Sequence, residues 1–214
     1  MNRLNIFIIS LCVASFAAAD GDSLRVKITP SIDTVVVKHA DKSITIMRHQ
    51  DPNKKVNPIY AKTSRDCPPF CIQPMVLAPG VETIGELEVL DYLRRIGDGD
   101  DSVIVIDSRT EDWVANGTIP GAVNIPWTTL SPSAGADPFE VAEILELRFG
   151  AISQEGLWNY ANAKTLVLFC NGMWCGQSPT NIKTLVNFGY PPHKLKWYRG
   201  GMQNWEVLGL TVAH

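Results

Sequence analysis

Short unbroken apolar runs alternate along this chain with stretches in which apolar residues recur every three or four positions. Val103-Ile104-Val105-Ile106 and Leu166-Val167-Leu168-Phe169 read as strands covered on both faces, as in a parallel sheet. Leu195-Lys196-Trp197-Tyr198 reads as a further strand. The spaced stretches read as amphipathic helices. One runs from Gly85 to Ile96 through Leu87, Leu90 and Leu93, and a short one covers Glu111 to Asn116. Another runs from Asp137 to Phe149 with Val141, Ile144, Leu145 and Phe149 on one face. The last opens at Ser178, an N-cap residue type before Pro179, and closes at Gly189. Ile119 to Pro126 reads as a turn and a short strand, and Leu157 to Ala161 leads into the strand before Cys170. The alternation predicts one three-layer α/β domain over residues 76–214.

The pattern before residue 76 is different. Val35 to His39 and Ser43 to Met47 flank Ala40-Asp41-Lys42, a β-hairpin signature. Polar residues follow, and then a stiff segment, Cys67-Pro68-Pro69-Phe70-Cys71. Residues 20–75 thus read as a small β-rich extension. Residues 1–19 read as a secretory signal peptide, with Arg3, an apolar run from Leu4 to Phe16 and Ala17-Ala18-Ala19 before Asp20. Periplasmic or secreted localisation is the expectation, with no membrane span after cleavage.

The formal net charge is −3 and the basic residues are scattered. That gives no support to nucleic-acid binding or to electrostatic membrane docking. Removing Cys12 with the signal leaves two close pairs, Cys67/Cys71 and Cys170/Cys175. In an oxidising compartment each is a candidate disulfide, and each spacing also suits redox or sulfur-transfer chemistry. Neither is the C-x2-C knuckle of structural zinc and no histidine stands beside either, so no metal and no cofactor are expected. For Cys67/Cys71 two readings stand: a disulfide closing its loop, and a redox pair exchanging with the loop at Cys170.

Cys170 ends the buried run, and Asn171, Gly172, Met173, Trp174, Cys175 and Gly176 lead from it to a helix start. The carboxyl end of a parallel strand is where α/β sheets place ligands. Loop amides and a helix N-terminus there favour an anion and lower a thiol's pKa.

Three separated pieces resemble the rhodanese-like sulfurtransferase family. They are Val105-Ile106-Asp107-Ser108-Arg109 with Ile119-Pro120-Gly121-Ala122, the strand and loop at Cys170, and Trp197-Tyr198-Arg199-Gly200-Gly201-Met202 with Trp205. The resemblance implies a central parallel sheet of about five strands. It also implies that Cys170 is a nucleophile carrying a persulfide, held by the amides of the loop from Asn171 to Gly176. Asp107 and Arg109 are implied as structural support. Two positions depart from the family pattern. Thr118 stands where a histidine is frequent, and Cys175 stands where the loop's sixth residue is often basic. With no cation in the loop, Arg199 is the candidate to supply charge from the side. Gly176 stands where the related phosphatase branch needs an arginine, which disfavours phosphoryl transfer.

The expected activity is sulfur transfer from a small sulfur-containing donor to a thiol acceptor, with Cys175 as a resolving thiol. A periplasmic redox or sulfur-metabolism protein is a candidate partner. The rival readings are a thiol–disulfide oxidoreductase working through Cys170/Cys175 with Cys67/Cys71, and a non-catalytic binding module on the same fold.

Overall fold

The computed structural model describes residues 24–214. The signal peptide read at residues 1–19 lies outside the described residues. The chain opens with an antiparallel hairpin, β1 (Thr34–His39) and β2 (Lys42–Met47), and a single turn of helix, α1 (Pro58–Ala61). The α/β part follows as β3 (Glu82–Ile84), α2 (Glu86–Gly97), β4 (Val103–Asp107), α3 (Glu111–Val114), β5 (Val123–Asn124), α4 (Trp127–Leu130) and α5 (Pro138–Glu143). It continues with a hairpin of β6 (Ile152–Gln154) and β7 (Leu157–Asn159), then β8 (Thr165–Phe169), α6 (Gln177–Asn187), β9 (Leu195–Tyr198) and α7 (Gly201–Val207). Five strands form one parallel sheet in the order β3-β9-β8-β4-β5.

The central strand β8 explains why its sequence is apolar without a break. Val167 and Phe169 enter a core with Val89, Leu93, Val105 and Trp205, while Leu166 and Leu168 enter a second core with Ile106, Phe149, Ile182 and Leu185. All four are fully buried, and each such side chain contributes about 1.5–3 kcal/mol through loss of water contact. This is a three-layer α/β architecture with the expected count of five parallel strands.

Several local expectations are corrected. The edge strand β3 is three residues long and carries no pattern that marks it in sequence. Leu157 to Ala161 does not simply lead into β8, because Leu157–Asn159 pairs back with Ile152–Gln154. The helix from Asp137 gives way after Glu143 to a π-helical turn, Ile144–Arg148. Helix α6 begins at Gln177 with Gly176 as its cap, so Ser178 is not the N-cap. Its hydroxyl is drawn inward by the sulfur described below.

The extension packs into the fold. Val35, Val37, Ile46 and Tyr60 share the first core with α2 and α7. The backbone of His49 donates to Gly209 O at 2.7 Å, and Met47 O accepts from Thr211 N at 3.1 Å. Hydrophobic burial and strand-like pairing thus fasten the extension to the C-terminal end of the chain.

Candidate active site around Cys170

Cys170 leaves the end of β8 at the centre of the sheet and is 2 % exposed. The loop after it is fixed from three sides. Its own turn closes through Cys175 N to Gly172 O at 2.9 Å. The first turn of α7 donates to it, Met202 N to Cys170 O at 3.0 Å and Gln203 N to Asn171 O at 2.9 Å. The extension closes the outside, with Gln73 N donating to Met173 O at 2.8 Å.

Gly201 is what lets α7 approach so closely. Its φ is +55°, and a Cβ there would run into Cys170 O and lie 2.8 Å from Gly172 N. Only glycine takes that backbone angle at little cost and also leaves the space empty.

The electrostatics separate the two thiols. Burial alone raises the pKa of Cys170, but hydrogen bonds from the Cys175 thiol, the Ser178 hydroxyl and the amides of Ser178 and Gly172 outweigh it and bring the value below the usual thiol range. Ser178 Oγ lies 3.1 Å from Cys170 Sγ. When protonated, the Cys170 thiol faces Cys175 O at 3.4 Å, a contact that favours the neutral form and is lost on ionisation. Cys175 goes the other way. Burial, its donated hydrogen bond and the neighbouring Cys170 charge raise its pKa well above the usual value. The two shifts are opposite in sign, so Cys170 gives up its proton more readily than Cys175.

Behind the loop lies a buried ion pair. Arg109 Nη2 and Asp107 Oδ2 are 2.6 Å apart, with both side chains at most 1 % exposed. Arg109 also donates to Tyr60 Oη at 2.8 Å, Gly117 O at 2.7 Å and Asn171 Oδ1 at 3.4 Å. Burial works against the Arg109 charge, and Asp107, Tyr60 and the Cys170 charge outweigh it and raise its pKa. Thr118 donates to Asp107 Oδ2 at 2.7 Å, which gives the residue at the family's histidine position a role in holding this pair.

The remaining expected site residues fall as follows. Asn171 is buried, and its Nδ2 has no hydrogen-bond partner. Met173 is 36 % exposed at the loop's outer rim. Trp174 donates from Nε1 to Gln203 Oε1 at 2.8 Å. Arg199 donates from Nη2 to Gln73 O at 2.8 Å, so it pins the covering segment beside the loop. Cys67 and Cys71 are joined as a disulfide with Cα atoms 4.8 Å apart.

The structure adds residues that sequence patterns did not single out. Arg65 stacks its guanidinium 4.1 Å from the ring centroid of Trp174, and Phe70 meets the same ring edge-on with centroids 5.5 Å apart. The segment carrying the disulfide thus lies over the active loop, and Arg65 is a cation beside a loop that carries none of its own. Tyr60 and Ser178 were also missed. Tyr60 comes from a segment far away in sequence, and Ser178 reads locally only as a helix-start residue, so no local motif marks either role. A surface groove lies elsewhere, lined by residues 47–58 and 206–212 among others. Among the described residues no group of three His, Cys, Asp or Glu could hold a metal ion. Among the described residues no helix is long and apolar enough to cross a membrane.

A parallel five-stranded sheet flanked by helices, with a cysteine loop at the central strand's carboxyl end, defines a sulfurtransferase-type α/β fold. The rhodanese-like domain model matches residues 89–207, and the chain belongs to that family. Its structure is similar to a Rhodopseudomonas palustris protein of unknown function described as a possible tyrosine phosphatase, at 20 % identity and TM-score 0.39, covering 62 % of this chain and 85 % of that one. It is also similar to a thiosulfate sulfurtransferase from Pseudomonas aeruginosa, at 20 % identity and TM-score 0.41, covering 63 % of this chain and 20 % of that one. A human single-domain sulfurtransferase matches at 20 % identity and TM-score 0.36, covering 58 % and 95 % of the two chains. No curated protein matches the sequence.

Proposed function

We propose that this protein is an exported sulfurtransferase that carries sulfane sulfur on Cys170. The observation behind the reading is the setting of Cys170: it ends the central strand, opens a loop that leads into helix α6, and has the Ser178 hydroxyl 3.1 Å from its sulfur. The Cys170 thiolate attacks the sulfane sulfur of a small donor. The bond from that sulfur to the rest of the donor breaks, and the donor leaves with the electron pair. The persulfide's outer sulfur takes up the negative charge, and the loop amides and helix α6 lower its energy. A thiolate acceptor then attacks the outer sulfur, and Cys170 leaves as thiolate again.

Cys175 gives a second exit. Its thiol, once deprotonated by the leaving sulfur, attacks Cys170 Sγ and releases hydrosulfide, leaving a Cys170–Cys175 disulfide. An external dithiol then restores both thiols. The exposed position of Cys67 makes the Cys67–Cys71 pair a candidate contact for such a dithiol partner in the periplasm or outside the cell. The leader-like pattern at residues 1–19 supports export.

The test is incubation of the mature protein with thiosulfate or an organic persulfide, followed by intact-mass measurement. A gain of one sulfur atom, absent in Cys170→Ser and retained in Cys175→Ser, is the expected result. Sulfur transfer surviving in Cys170→Ser would refute the assignment. A disulfide between Cys170 and Cys175 with no sulfur adduct from any donor would replace it with thiol–disulfide exchange. Neither adduct nor disulfide would leave a binding module.

A further inference from the structure

Ser178 lies in the first turn of α6, fully buried, against the sulfur of Cys170. A serine in a helix commonly turns its hydroxyl back to a carbonyl one turn earlier. Thr180 does this, donating to Gly176 O at 2.8 Å. Ser178 does not, and the reason lies on the neighbouring strand. Trp197 of β9 is 1 % exposed, and its Nε1 stands 3.2 Å from Ser178 Oγ. An indole N–H only donates. It fills a lone pair of the Ser178 oxygen and leaves the hydroxyl proton to point at Cys170. The chain from Trp197 Nε1 through Ser178 Oγ to Cys170 Sγ is buried along its whole length. Water therefore cannot substitute for either link.

We propose that Ser178 is a catalytic hydrogen-bond donor to the reacting sulfur of Cys170, and that Trp197 is the positioning residue that aims its proton. The inference deepens the sulfur-transfer reading and rests on Cys170 being the reacting group. In the resting enzyme the hydroxyl holds the thiolate. When an acceptor takes the outer sulfur, the same hydroxyl meets the charge that returns to Cys170 Sγ. The lowered thiol pKa agrees with this donor set. The other charged or titratable groups facing Cys170 are Cys175 in its own loop, Arg109 with Asp107 at the end of β4, and Tyr60 behind Arg109. None changes in the variants below.

The experiment is the rate of Cys170 alkylation by iodoacetamide against pH, with the adduct assigned by peptide mass mapping. In Ser178→Ala the apparent thiol pKa should rise by about one to two pH units, as expected for loss of one hydrogen bond to a charged group. Alkylation near neutral pH should fall about tenfold or more and meet the wild-type rate at high pH. Trp197→Phe should shift the profile the same way by a smaller amount, and Ser178→Thr should restore it. A defect of packing alone would lower thermal stability and leave the profile in place. An unchanged profile in Ser178→Ala overturns the proposal. If that variant does not fold, an unchanged profile in Trp197→Phe overturns it instead. The readout needs no sulfur donor. Sulfur transfer surviving in Cys170→Ser would defeat the proposed activity and leave this profile intact.

Discussion

Replacing Arg109 by methionine removes the cation from a carboxylate that has no access to water. In the native site Asp107 receives Arg109 Nε at 2.9 Å and Nη2 at 2.6 Å, together with Thr118 Oγ1 at 2.7 Å and the Arg109 amide at 3.1 Å. The variant keeps only the last two donors. It also strips donors from Tyr60 Oη and Gly117 O, which Arg109 holds at 2.8 and 2.7 Å. Breaking a buried pair in this way costs about 3–5 kcal/mol, because one charge stays buried without its partner. In a chain of this size that is a fall in Tm of about 10 °C. The measurement is urea and thermal denaturation of four proteins: wild type, Arg109→Met, Asp107→Leu and the double variant. Replacing both partners by apolar groups is often close to neutral, so the double variant should recover at least about half of the loss seen in Arg109→Met. A loss below about 1 kcal/mol in Arg109→Met would refute the reasoning, since it would mean that the carboxylate is compensated some other way.

Two further outcomes follow from the geometry. Gly201→Ala should disturb the active loop through its clash with Cys170 O and its strained backbone angle, at a cost of about 1–3 kcal/mol. Intact-mass measurement should show loss of the sulfur adduct at temperatures where the variant remains folded. In alkaline solution, burial raises the phenol of Tyr60 to about 12, and burial also raises Tyr190 and Tyr198 above their ordinary value. A raised folded pKa means that stability is complete below the unfolded value near 10 and is lost as pH rises toward the folded value. Stability should therefore fall above about pH 10, and phenolate absorbance from these residues should appear together with unfolding.

The fold was legible in the sequence where burial acts on short range. A strand covered on both faces must be apolar throughout, so β4 and β8 stand out as unbroken runs. Helix α2 stands out because one face packs and the other meets water. The short edge strand β3 buries too little to leave such a signature, whereas β5 falls inside the turn and short strand read at Ile119 to Pro126. The residues Ser178-Pro179 read locally as an N-cap and first helical residue, and the structure moves that start two residues earlier, to Gly176 and Gln177.

The sequence by itself determined the α/β alternation, the position of Cys170 at a strand end and the two close cysteine pairs. Those are properties of neighbours along the chain, and period and spacing carry them. The tertiary structure decided which groups meet the sulfur. Ser178, Trp197, Tyr60 and Arg65 reach the site from four different elements or segments, and their roles depend on distances that no local pattern encodes. It also decided which of two adjacent thiols ionises more readily, because that follows from the donors that burial leaves around each sulfur.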